Sequence, residues 1–171
     1  MNSIKRKKSP VAVLCSALGT VLLVALIALC LPLTFPRVLG YEIYTVVSGS
    51  MEPAIPTGSL VYIEDAQPED IEEGDVIAFY GARDSAAVIT HRVVENNTLM
   101  GQFTTKGDAN EKADVNPVDY EDFIGKAAMS IPWLGKSAQL FTSIQGKAAA
   151  GAVIIAAMLF HLIGNLLEGK K

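Results

Sequence analysis

The chain has 171 residues, 50% hydrophobic and 19% charged, with a formal net charge of −4. Once its apolar ends are set aside, that length holds one compact soluble domain. The acidic balance excludes a polyanion-binding surface and hence nucleic acid as a partner. The two cysteines, Cys15 and Cys30, both fall in the first apolar stretch, so no disulfide framework supports the remainder.

In chain order, the first ten residues are a basic N-terminus carrying Lys5, Arg6, Lys7 and Lys8 with no acid. Residues 9 to 36 are then uncharged, and Val11 to Leu33 is long enough to cross about 30 Å of hydrocarbon as a helix. A transmembrane helix over 11–36 is predicted. Its apolar core exceeds the roughly 7 to 15 residues of a cleaved signal peptide, and Leu14 before Cys15 argues against lipoprotein attachment. Near the other end, Ala148 to Leu167 is uncharged and bracketed by Lys147 and Glu168, a second span over 148–167 followed by a short tail, 168–171, with Lys170 and Lys171. The Ala-rich first half, His161 and Asn165 also fit a bundle-packed helix. His161, near a helix end, is expected to snorkel and stays outside the site.

Residues 41–146 contain six basic and seventeen acidic side chains. Cytoplasmic flanks favour Lys and Arg, so both termini are assigned to the cytoplasm and this acidic middle to the outer face or an equivalent lumen. The expected location is a plasma membrane, multi-pass. Within the middle, Glu42–Val47, Ser59–Ile63, Asp75–Tyr80, Ala87–Val94 and Thr98–Lys106 read as strands rich in Val, Ile, Thr and aromatics. Pro56-Thr57-Gly58, Glu73-Gly74, Asn96-Asn97 and Lys106-Gly107-Asp108 punctuate them, with Asn96-Asn97 a hairpin signal. Pro68–Glu73 reads as a loop and Ile131–Gly135 as an irregular connection. The expected fold is mainly β, a membrane-tethered domain flanked by two helices.

Chemistry enters at Ser48-Gly49-Ser50-Met51-Glu52-Pro53, a serine between glycine and methionine just beyond the first span. A hydroxyl is a weak nucleophile until a base takes its proton, and His91 is the one histidine between the spans. Strand alternation puts it on the face opposite Thr90 and Arg92. Free imidazole titrates near about pH 6.5, which suits a general base. Asp108 and Asp114 are both placed to orient it, and their spacing does not choose between them. Asp108 also fits a turn-capping role. Asn96-Asn97-Thr98 forms a glycosylation sequon, which reads more readily as a turn. The sequence calls for no metal and no cofactor.

Taken together, Ser48–Pro53, Gly74–Phe79, Thr90-His91-Arg92-Val93 and Lys106–Asn110 with Asp114 beyond resemble signal peptidase I, in the endoplasmic-reticulum type branch found in archaea, some Gram-positive bacteria and eukaryotes. The resemblance covers roughly residues 44 to 130. A lysine in place of His91 would mark the ordinary bacterial branch. What the resemblance implies is a membrane-bound serine endopeptidase that removes signal peptides from exported preproteins, with Ser50 as nucleophile, His91 as general base and Asp114 as the orienting acid. Asp108 shapes the site beside it, as a supporting or alternative acid. Ser48 matches the position whose hydroxyl helps bind the oxyanion together with the Ser50 N–H. Ser59 departs from the acid common after Gly58. Family substrates have small residues one and three positions before the cut, so Ile43–Val47 and Ile77–Tyr80 are candidate pocket or edge material. Met51 is expected either in the core or against the bilayer. The expected partners are preproteins and the lipid bilayer, while further membrane subunits are left open. Two alternatives stand: a Ser-Lys dyad using Lys106, and an inactive anchored β domain that binds or assembles partners.

Overall fold

The computed structural model describes residues 9–81 and 87–169. The basic residues at 5–8 and at 170 and 171, on which the orientation rests, lie outside them. The chain forms two units, one of residues 33–139 and one of residues up to 32 together with those from 140 onward.

The helical unit is built on α1 (Pro10–Val38) and α3 (Ile144–Gly169), both long and apolar enough to cross a membrane. Pro10 opens α1, where a missing N–H costs nothing, and Gly40 at φ 93° closes it in the left-handed region that a side chain disfavours. Ser143 caps α3: its Oγ accepts from the Gly146 N–H at 3.0 Å. The two helices meet through small residues. A Cβ on Gly19 would lie 2.9 Å from the Ala157 carbonyl oxygen and 3.0 Å from His161 Nε2. Ala12, Gly19, Ala157 and Gly164 are all buried along this seam, the close-approach packing that apolar helices use where no hydrophobic gradient separates them from lipid. His161 therefore packs its ring against α1 and does not snorkel, contrary to expectation, because Gly19 leaves a space of ring thickness.

The second unit is a seven-stranded antiparallel sheet in the order β1-β2-β7-β3-β4-β5-β6. Its strands are β1 (Glu42–Thr45), β2 (Leu60–Glu64), β3 (Val76–Tyr80), β4 (Val88–Asn97), β5 (Gln102–Lys106), β6 (Val118–Asp119) and β7 (Phe123–Ile131), and α2 (Leu134–Thr142) follows. The mainly β expectation holds, with five of these strands near their predicted places. The β4–β5 turn falls at 98–101, beyond Asn96-Asn97, because β4 runs three residues further than its apolar pattern. Pro68–Asp70 is a 3-10 turn within the predicted loop. Two strands were not anticipated. β6 is only two residues long, and β7 reads Phe-Ile-Gly-Lys-Ala-Ala-Met-Ser-Ile, poor in β-branched residues, yet it lies between β2 and β3 where pairing on both sides overrides propensity. Between β7 and α2, exposed Trp133 turns the chain at φ 63°.

Alternation divides the sheet's residues between distinct clusters. Ile77, Phe79, Val93 and Phe103 pack with Ile71 and Val118, whereas Ala78 joins Met51, Ile55, Val61 and Ile63. A bulge between Val93 and Glu95 corrects the phase of β4. Val93 is opposite Thr105 and Asn96 is opposite Phe103, so the extra residue brings Asn96 to the Val93 side, three positions on, where an unbroken strand would have turned it away. There its Nδ2 donates to the Pro68 and Ile71 carbonyls at 2.9 and 2.8 Å, and its Oδ1 accepts from the Tyr120 hydroxyl at 2.5 Å. The sequon's acceptor nitrogen is thus engaged inside the fold, and Asn96 serves as a strut.

Candidate active site

Ser50 sits in the turn after β1. Its neighbour Met51 is 2% exposed and packs into the core with Ile55, which places that methionine away from any bilayer contact and fixes the turn from beneath. Glu52 holds the outer side of the turn by accepting from the Thr57 N–H at 3.2 Å and the Thr57 hydroxyl at 2.8 Å, and these bonds hold its carboxyl below the usual range. The Glu52–Pro53 peptide is cis. The Ser50 Oγ lies 3.3 Å from the Ser48 Oγ.

His91 lies on β4 opposite Ile77 of β3, on the face of the first cluster, with its ring edge-on to Phe79 at 6.2 Å between centroids. Its Nδ1 is 2.6 Å from Asp114 Oδ2. A carboxylate only accepts, so the contact places a proton on Nδ1, and in the neutral imidazole the lone pair is then on Nε2. That nitrogen faces the loop after β5. A Cβ on Gly107 would lie 3.1 Å from His91 Nε2 and 2.6 Å from the Ser50 carbonyl oxygen, so the imidazole and the serine turn converge on one glycine. The Ala109 N–H donates to that same carbonyl at 2.9 Å and ties the two loops together.

The two aspartates separate by partner. Asp114 meets His91, while Asp108 receives a bidentate pair from Arg92, Nε to Oδ1 at 2.8 Å and Nη2 to Oδ2 at 2.6 Å. Arg92 also donates from Nη1 to the Gly74 carbonyl at 2.7 Å, so Asp108 anchors the loop that carries Gly107. Lys106 is opposite Arg92 in the β4–β5 register and shares its face, which is the face His91 does not occupy. Sequence reading missed Thr105. It is fully buried, and its Oγ1 donates to Asp114 Oδ2 at 2.6 Å. Its position two residues before Gly107 on the His91 side gave no signal without the strand register.

Beside the serine turn opens a groove of about 340 Å³ lined by Tyr44, Val46, Ser48, Ser50, Val88 and Thr90 among others. β1 is an edge strand, and β5 pairs β4 only from Arg92 onward, so among the described residues no strand pairs the Val88–Thr90 backbone on that side. Of the segments expected to supply pocket or edge, 44–47 lines this groove. Ile77, Ala78 and Phe79 do not, because β3 is an interior strand and these residues are buried in the core.

The β-sheet unit thus carries a serine turn, an imidazole and a carboxylate, the group types that serine hydrolases use. Comparison with known proteins is more particular. Residues 17–96 match the family model described as signal peptidase, peptidase S26. The chain is 42% identical over 91 residues to signal peptidase I W of Bacillus subtilis, covering 51% of this chain and 46% of that one. To the human signal peptidase complex catalytic subunit SEC11C it is 34% identical over 104 residues, covering 54% of this chain and 53% of the relative. To SEC11 of Fusarium vanettenii it is 32% identical over 103 residues, with 54% and 59% covered. The chain spans about half the length of the curated relatives it matches. The resemblance to signal peptidase I drawn from the sequence is thereby borne out.

Proposed function

We propose that this protein is a membrane-bound serine endopeptidase that removes N-terminal signal peptides from exported preproteins. The observation that carries the reading is the His91 Nδ1 to Asp114 Oδ2 contact, with Nε2 on the side of Gly107, where the Ser50 carbonyl oxygen also lies. In the first step the Ser50 Oγ swings from Ser48 toward His91, attacks the scissile carbonyl carbon and gives its proton to Nε2. His91 passes that proton to the leaving amine as the peptide bond breaks, and Ser50 is left as an ester. Water, deprotonated by the same imidazole, then attacks the ester carbonyl; the bond to the Ser50 Oγ breaks, the signal peptide leaves with a new C-terminal carboxylate, and His91 returns the proton to Ser50. Asp114 holds the imidazole in the working tautomer and balances its cation. Asp108, paired with Arg92, supports the loop and does not contact the base. The Ser48 hydroxyl and the Ser50 N–H are assigned to the oxyanion, where one donor is worth about 2.7–4 kcal/mol of transition-state stabilisation.

An extended substrate fits the groove between the β1 edge and the Val88–Thr90 edge, with backbone pairing for affinity and alternate side chains entering the apolar lining. In this reading residues 11–36 and 148–167 span the membrane, 41–146 work on its extracytoplasmic face, and 1–10 and 168–171 are cytoplasmic. A substrate held in the same bilayer then meets the site at raised effective concentration.

Ser50→Ala and His91→Ala, assayed as full chains in vesicles on a signal-peptide-bearing preprotein, are expected to lose about 10⁴-fold or more in rate. Wild-type rate in either variant would overturn the mechanism. A serine-reactive acylating probe should label Ser50, and failure to label would favour the inactive binding module.

A further inference from the structure

We infer that Thr105 is a positioning residue of the relay, holding the carboxylate that orients His91. The inference rests on the proposed peptidase mechanism. Asp114 belongs to no strand or helix, and an unsupported side chain there would sample several rotamers. Thr105, on β5, holds it at both ends: its carbonyl accepts from the Asp114 N–H at 2.8 Å, and its Oγ1 donates to Asp114 Oδ2 at 2.6 Å. That oxygen is also the one His91 Nδ1 reaches, at 2.6 Å. A single carboxylate oxygen therefore takes both donors, and the threonine fixes where it lies.

Burial makes the assignment specific. Thr105 is 0% exposed, so its hydroxyl proton has no water to turn to, and the carboxylate is its acceptor. The strand that carries it is clamped from both sides, by β4 and β6, with Val93 directly opposite. The chain thus refers the loop-borne carboxylate of the relay to a strand adjacent to the one that carries His91. Without the hydroxyl, Oδ2 loses one of its two donors and the carboxylate is free to rotate about its own side-chain bonds. The imidazole then loses its fixed orientation, and a misplacement on the order of 1 Å costs about 10²-fold in rate.

The test compares Thr105→Val, which keeps shape and removes the hydroxyl, with Thr105→Ser, which keeps the hydroxyl. Full-length protein in vesicles is assayed on a preprotein, with thermal melting as a fold control. The expected result is a fall in kcat of about 10- to 100-fold for Thr105→Val at unchanged KM, and retention within about threefold for Thr105→Ser. Adding Thr105→Val to Asp114→Asn should cost nothing further. A valine variant within twofold of wild type, or a serine variant as poor as the valine, overturns the inference. If the valine variant does not fold, Thr105→Ala against Thr105→Ser decides: equal loss in both overturns it, and loss in alanine alone supports it. Wild-type protein that cuts no preprotein would sink the proposed function itself, a result distinct from equal rates in active variants.

Discussion

Gly107 shows how closely the proposed chemistry is packed. A methyl group there would press on the Ser50 carbonyl at 2.6 Å, the Asn110 Nδ2 at 2.8 Å and His91 Nε2 at 3.1 Å. The first is backbone and cannot swing aside. Gly107→Ala is therefore expected to separate the imidazole from the serine turn and lower kcat by about tenfold or more in a chain that still folds. Unchanged kcat would show that the loop yields without disturbing the site. Ser50 and His91 were legible in the sequence because the glycine, proline and strand patterns around them are local. The partners of Asp108 and Asp114 were not, since both follow one turn and only the fold brings Arg92 to one and His91 to the other. Thr105 was silent for the same reason. A buried threonine in a strand is ordinary until its neighbour across the fold is known.

Among the elements, β3 and β7 are linked beyond their ladder by Lys126 Nζ, 2.8 Å from Asp75 Oδ1. Burial works to raise the Asp75 carboxyl, but the Lys126 ammonium and the Glu72 N–H outweigh it and hold it below the usual range. Asp75 in return raises the Lys126 ammonium. A depressed acid stabilises the fold above its unfolded value, near about pH 3.9, and the contribution is lost as pH falls through the folded value. A raised lysine contributes below about pH 10.4 and loses it as pH rises through its folded value. The pair should thus stabilise across the whole neutral range. Since Lys126 is 36% exposed, solvent screening limits it to about 0.2–1 kcal/mol. Asp75→Asn should lower the melting temperature slightly at pH 7 and by less as the pH falls through the folded value of the carboxyl, and a loss that does not change with pH would remove the ion pair as its cause. The predicted strands were those with apolar, β-branched runs. β7 was hidden because its Ala, Gly and Lys residues follow the demands of two neighbours, and the β4 bulge was hidden because alternation read along one strand does not reveal a phase change imposed by the next.

At the scale of the whole molecule, the acidic segment 41–146 and the two apolar helices make one topological statement that can be tested from outside the cell. Leu99, at the β4–β5 turn, is 98% exposed. In intact cells, Leu99→Cys should react with an impermeant maleimide while the native Cys15 and Cys30 of α1 stay unmodified. Labelling only after permeabilisation would reverse the orientation. The apolar helices were legible from length and composition, since a span needs only continuity. Their mutual packing was not, because Gly19 and His161 lie far apart in the chain and glycine carries no hydropathy signal.

Trp133 is the sole indole of the chain, and it stands exposed at the strand-to-helix junction. Fluorescence excited at the red edge of the tyrosine band consequently originates from one known spot. An emission shift or quenching on adding substrate, lipid or detergent can be assigned to that junction without introducing a foreign dye.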